Sequence, residues 1–218
     1  GREALRVAQE EEGTFVEHLF SGALEDKKTV IEGTEYDALT LLTLFVKKCF
    51  GLFSVIAPTD RIEILMFTAR RSNGRVVEVI SQVVDALGLK NTNVFFQNHE
   101  ESYYYYLLHQ PSEFRLSGSV ILDFQEVLRA YLLELNRRTT PVVCFVTEYE
   151  FPECPEPVWE AEESEKAGQM ETLDEKVLEK IIGIFQNRTI GSVFLVGSGF
   201  QEDWAKRSLQ YICRGRRV

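Results

Sequence analysis

Three apolar segments, 119–124, 127–135 and 142–148, follow one another with links too short to hold a helix. Strands joined so closely fold back on one another, so this region reads as an antiparallel meander. It sits in a chain that otherwise alternates helix and strand. Upstream, Leu39, Leu42, Phe45, Val46, Cys49 and Phe50 recur at helical spacing within residues 36–53. A strand at 62–67 follows. Next comes a helix at 75–87 with Val76, Val79, Ile80, Val83, Val84 and Leu87 on its apolar side and Gly88 as its stop. A strand at 94–96 then leads to a helix opened by Asn98 and ended near His109, ahead of Pro111. Downstream of the meander the pattern predicts a helix at 173–185, a strand at 192–196 and a last helix at 201–213. A short helix at 15–24 and a strand at Val30-Ile31, turned by Glu32-Gly33, precede all of these.

Alternation of strands and helices demands parallel pairing with helical crossovers. The meander adds antiparallel strands. The expected class is therefore α/β, a mixed sheet with flanking helices. The domains fall as an extension at 1–28, a first half at 29–112 (α-β-α-β-α) and a second half at 117–218 (β-β-β-α-β-α). The second half carries an acidic insertion at 150–168. The chain opens on Gly1 and ends at Val218 just past an apparent helix stop, so both ends read as cuts within a longer sequence.

The charge narrows the function. The net charge is -10. Residues 148–175 hold eleven acidic side chains against the single cation Lys166, so this stretch accounts for all of it and the remainder is neutral. Nucleic-acid binding draws no support, because no broad basic surface exists. Lys206, Arg207, Arg214, Arg216 and Arg217 lie on the last helix and its end, where positive charge offsets the helix dipole. No apolar run reaches the roughly 18 residues of a membrane span. The cysteines, Cys49, Cys144, Cys154 and Cys213, form no CxxC pair, which speaks against zinc and for a reduced, cytoplasmic protein.

Three stretches carry a resemblance. VFFQNHEESYYYYLLH (94–109) is similar to a chaperone segment in which a strand ends in Asn-Glu-Pro-Thr before a helix. Asn98 matches; the Pro and Thr do not. SVILDFQEVLRAYLLEL (119–135) resembles the second phosphate hairpin of the same proteins, a strand ending in Asp, here Asp123, before a turn. SVFLVGSGF (192–200) resembles their adenosine motif, an apolar strand running into a glycine turn. In this order they resemble the actin-like ATPase superfamily, which has the ribonuclease H-like fold of actin, sugar kinases and seventy-kilodalton heat-shock chaperones. Uncharacterised bacterial actin-like proteins are the nearest likeness. Each half of that fold is βββαβαβα. The resemblance therefore implies a fold incomplete at both ends, lacking three opening strands in the first half and the last strand and helix of the second.

The resemblance also implies a nucleotide site at Asp123, Gly197, Ser198 and Gly199. Glycine turns let backbone N–H groups approach phosphate oxygens. Yet the turn after Asp123 is Phe124-Gln125-Glu126-Val127, without glycine and with a carboxylate that would repel phosphate. The expectation is a degenerate, non-catalytic actin-like module for protein interaction or regulation, with no cofactor. The alternative is an ATPase using ATP with magnesium whose catalytic residues lie outside this sequence. His18, His99 and His109 assemble no acid–base or metal constellation. The tyrosine run 103–106 covers a full helical turn, so some rings must be buried and others exposed. The missing strands would leave an open sheet edge, which leads us to expect a protein partner or a homodimer.

Overall fold

The computed structural model describes residues 14–55, 61–89, 93–136, 138–158 and 163–218. It is mixed α/β and divides into two compact units, Gly1–His99 and Glu100–Val218.

The first unit begins with α1 (Leu19–Leu24), β1 (Lys28–Ile31) and β2 (Thr34–Asp37). Glu32 and Gly33 both take positive φ, the two-residue turn that matches strand twist, so β1 and β2 form an antiparallel hairpin. The helix expected over 36–53 starts two residues later, at Ala38, because Tyr36 and Asp37 belong to this second strand. Helix α2 (Ala38–Phe53) starts where the Asp37 side chain accepts the Thr40 N–H. Then come β3 (Ile64–Ala69), α3 (Gly74–Leu87) and β4 (Asn93–Asn98). Asn73 caps α3 by accepting from the Val76 N–H, and Gly88 closes it in the left-handed conformation. Leu42, Val79 and Val83 form the buried contact between α2 and α3, with Ala23 and Ala38. Strands β3 and β4 pair in parallel, Ile64 opposite Asn93 through Ala69 opposite Asn98.

The second unit takes α4 (His99–His109), which the sequence had assigned to the first half. The reason is packing: Leu107 is buried with Ile121, Tyr131 and Leu133 of the meander, and Tyr103 and Tyr104 pack beside them. A short 3-10 turn, Ser112–Arg115, leads into β5 (Gly118–Phe124), β6 (Val127–Asn136) and β7 (Val143–Pro155). Helix α5 (Glu163–Phe185) and β8 (Ile190–Val196) follow. After a 3-10 turn, Ser198–Phe200, α6 (Lys206–Ile212) completes the order. The sheet runs β7-β6-β5-β8; the meander pairs antiparallel and β8 pairs in parallel with β5. Beyond α6 the chain returns to the free edge of β8. There the Arg217 N–H donates to the Gly191 carbonyl and the Val193 N–H to the Arg217 carbonyl.

Alternation sends Val120, Leu122, Phe124, Leu128, Ala130 and Leu132 to one face, against Val177, Ile181 and Ile184 of α5 and Ile212 of α6. The other face receives α4. Both faces of β5 are sealed, as its near-continuous apolar run requires.

Two expected boundaries move. The insertion at 150–168 is strand as far as Pro155 and helix from Glu163; its residues 159–162 lie outside the described residues. Proline is admitted because β7 is an edge strand and bulges there: Leu128 faces Phe151 but Val127 faces Pro155. Cys154, fully buried in the core, and Phe151 anchor the segment. The last helix begins at Lys206, not at residue 201.

Candidate functional site

Asp123 is the penultimate residue of β5 and is only 2% exposed. Its Oδ2 accepts a hydrogen bond from the Tyr103 hydroxyl at 2.8 Å. Directly across the strand pair stands Arg129, 6% exposed. Arg129 reaches Glu150 at 3.4 Å and Glu126 at 3.7 Å. Next along β6, the Tyr131 hydroxyl donates to Glu148 at 3.3 Å, and its ring lies 4.9 Å from that of Tyr103. A carboxylate at this position is thus covered by a phenol and faced by a guanidinium. Burial, and then the hydrogen bond to Asp123, push the Tyr103 phenol far up, so it keeps its proton and stays a donor at any physiological pH.

The glycine turn is shaped by the same strand end. Gly197 has φ 103°, and a Cβ there would stand 2.3 Å from the Phe124 carbonyl oxygen. A Cβ on Gly199 would stand 2.6 Å from the Phe124 ring. The glycines are therefore demanded by Phe124, which is fully buried beneath the turn. Phe124, Phe200 and Trp204 pack ring against ring at 5.5 to 6.0 Å, and the Trp204 indole N–H donates to the Gly199 carbonyl at 2.7 Å. Ser198 is exposed and its hydroxyl donates to Glu156.

The N-terminal amides of α6 are engaged within the protein. The buried Asp174 carboxylate of α5 accepts from the Arg207 N–H at 2.7 Å and the Ser208 N–H at 2.9 Å. Arg207 itself reaches Glu171 and Glu175.

The structure thus brings Asp123 and the 197–199 turn to neighbouring strand ends and joins them through Phe124. Sequence reasoning missed Tyr103, Arg129 and Asp174. Only tertiary pairing joins Tyr103 to Asp123 and Asp174 to α6, and no local pattern announces either. Of the basic tail, Arg216 meets the helix end: it donates to the Tyr211 and Ile212 carbonyls and lies over the Phe185 ring at 4.6 Å. Lys206 and Arg207 instead open α6, at its N-terminal end. Of the four tyrosines, Tyr105 and Tyr106 are half exposed, and Tyr106 meets the Phe194 ring edge-on.

Burial pushes both Cys144 and Cys154 up, away from the reactive thiolate. Among the described residues there is no cluster of His, Cys, Asp or Glu fit to hold a metal ion, and no helix long and apolar enough to cross a membrane.

Comparison with curated proteins finds no match. The whole chain, residues 1–218, matches the model of the family described as "Family of unknown function (DUF5716) C-terminal". The chain belongs to that family.

Proposed function

We propose that this chain is a non-catalytic module of actin-like, ribonuclease H-like type, acting in protein interaction or regulation. Its second unit supports the fold half of this reading. An antiparallel meander, a helix and a strand returning in parallel beside the first strand is the βββαβ order that the resemblance implies.

One observation carries the loss of catalysis: Phe124 fills the space under the glycine turn where a nucleotide would need backbone access. The same strand end offers no glycine in its own turn, and Asp123 is buried beneath Tyr103. Asp123 Oδ1 and Arg129 Nε are buried without a hydrogen-bond partner. They sit inside the packed face, though, not on an open cradle, so the residues present do not fit ATP with magnesium. An apolar surface supports the interaction half. Ile64, Met66 and Phe95 point from one face of the β3–β4 sheet and are each at least half exposed.

Titration calorimetry of the 218-residue chain with Mg-ATP tests the reading. The expected result is no saturable heat at millimolar nucleotide. A dissociation constant of about 1 μM, near -8 kcal/mol, would overturn it and favour an ATPase completed by residues outside this sequence.

A further inference from the structure

Five arginines gather at one end of the second unit's sheet, although the sequence scatters them. The register fixes this. Ser119 of β5 lies opposite Leu133 of β6, Asn136 of β6 opposite Val143 of β7, and Gly118 of β5 beside Ile190 of β8. The start of β5, the link from β6 to β7 and the start of β8 therefore share an end, where α5 also stops. Arg138 stands in the β6–β7 link and Arg188 in the link from α5 to β8. The tail brings Arg214, Arg216 and Arg217 to the same end. Arg217 pairs with Ser192 near the start of β8, and its Nη1 donates to the Glu113 carbonyl just ahead of β5.

Three of the five lie on aromatic rings. Arg188 lies over Tyr149 at 5.8 Å, Arg216 over Phe185 and Tyr211 at 4.6 and 5.3 Å, and Arg217 over Phe114 at 6.0 Å. Such contact orders a guanidinium without neutralising its charge. Among the described residues none of the five forms an ion pair, whereas Arg129, Lys166, Lys180 and Arg207, elsewhere in the unit, each meet a carboxylate. The carbonyl ends of α5 and α6 supply about half a negative charge each. Glu113 and Glu134 stand near this end as well. Against five full charges these leave the rim positive, in a chain whose net charge is -10.

Charge therefore selects an anionic partner, and length selects its class. The acidic stretch 148–175 belongs to the same unit, so a long polyanion such as nucleic acid would extend from the rim into a repelling field, while a short one would not. Arg216 and Arg217 donate to carbonyls through Nη1, which leaves Nη2 of each to donate to a carboxylate. We propose that this arginine rim docks a short Asp/Glu-rich segment of a protein partner. The inference rests on the reading of the chain as an interaction module and names the surface and the partner chemistry.

The test is fluorescence anisotropy of a labelled peptide, Asp-Glu-Glu-Asp-Glu-Glu, with the intact chain. Saturable binding with a dissociation constant below about 100 μM is expected, weakening several-fold as salt shortens the Debye length. Arg214→Glu with Arg217→Glu should abolish it. Arg214→Gln alone, at an exposed side chain, should weaken it by roughly threefold or more, and it decides the matter if the double variant does not fold. Lys47→Glu with Lys48→Glu changes the net charge equally but in the first unit, and should leave the affinity within about twofold.

Absence of saturation overturns the proposal, and so does unchanged affinity in Arg214→Gln. Equal weakening by the lysine pair would show that net charge acts and not the rim. The proposal also falls if a single-stranded oligonucleotide of equal charge binds more tightly than the peptide. It falls if phosphatidylserine vesicles sediment the chain and the double arginine variant escapes them. Mg-ATP heat that survives Arg214→Glu with Arg217→Glu counts against the proposed function and not against the rim, whereas loss of peptide binding alone counts against the rim, so the two fail separately.

Discussion

The two units of this chain solve the same problem to different degrees. In the second, the central strand β5 is sealed on both faces, and its Val120, Ile121, Leu122 and Phe124 are fully buried. In the first, β3 and β4 form a two-stranded parallel sheet whose residues are at best half-buried. One face packs Phe67 against Phe96; the other leaves Ile64 62% exposed. Parallel sheets ordinarily stand covered on both faces. The difference teaches where each unit draws its stability. The second draws it from a core of its own. The first relies on the α2–α3 contact and leaves its sheet surface available.

The largest expected effect tests that contrast directly. Phe124→Ala removes a fully buried ring from a three-aromatic cluster and should cost the second unit about 3–5 kcal/mol. Met66→Ala in the first unit touches a side chain 53% exposed and should fall within about 0.5 kcal/mol. The tryptophans, Trp159 and Trp204, both belong to the second unit, so urea unfolding read by tryptophan fluorescence reports that unit. Amides of β3 should also exchange with solvent faster than those of β5. Slow exchange in β3, or a large cost for Met66→Ala, would break the comparison.

A smaller effect separates the two reasons for glycine in the 197–199 turn. Gly197→Ala drives a methyl into the Phe124 backbone at positive φ and should cost about 1–3 kcal/mol. Gly199→Ala meets the Phe124 ring instead. Phe124→Leu should therefore recover part of the loss in Gly199→Ala and none in Gly197→Ala, measured as a double-mutant cycle in urea. Equal recovery in both would mean that Gly197 too accommodates the ring, and no recovery in Gly199→Ala would mean that the ring is not what Gly199 accommodates. If both substitutions were harmless, the turn would be free to meet a ligand, and the closed-site reading would weaken with it.

Much of the second unit was legible because its signals are local. The short links of the meander and the apolar runs of β5 and β6 leave no alternative to antiparallel pairing. The end of β7 was not legible, since Pro152 and Pro155 read as breakers until an edge position and a bulge supply the exemption. The first turns of α5 were hidden because their glutamates, though good helix formers, leave no apolar period to read, and because Gly168 lowers helix propensity. In the first unit, Thr34 and Tyr36 are good strand residues, but they stand too close to α2 to be told from its first turn without the hairpin partner. As for the site, sequence placed Asp123 and the glycine turn each at the end of a strand, and only the resemblance grouped them. It had no means of seeing that Phe124 would occupy the space between them, because a buried phenylalanine at a strand end carries no distinctive pattern.

The smallest effect concerns how each unit starts a helix with an aspartate. In the second unit Asp174 caps α6 from inside the core, whereas Asp37 caps α2 at the surface. Asp37 Oδ1 accepts the Thr40 N–H and Oδ2 the Thr40 hydroxyl, each at 2.7 Å. The hydroxyl first and then the amide hold this carboxyl below the ordinary aspartate range. A carboxyl depressed by folding adds stability that is fully present above its unfolded value, roughly pH 4, and is lost as pH falls through the lower folded value. The Thr40 amide resonance should accordingly titrate with a midpoint below about pH 4. Asp37→Asn should abolish that titration while keeping an oxygen to accept the bond, and Asp37→Ala should cost the first unit about 1 kcal/mol. A Thr40 midpoint at or above the ordinary aspartate value would show that the cap does not hold in solution. The start of α2, and with it the α2–α3 contact on which the first unit depends, would then be weaker than the contrast between the units assumes.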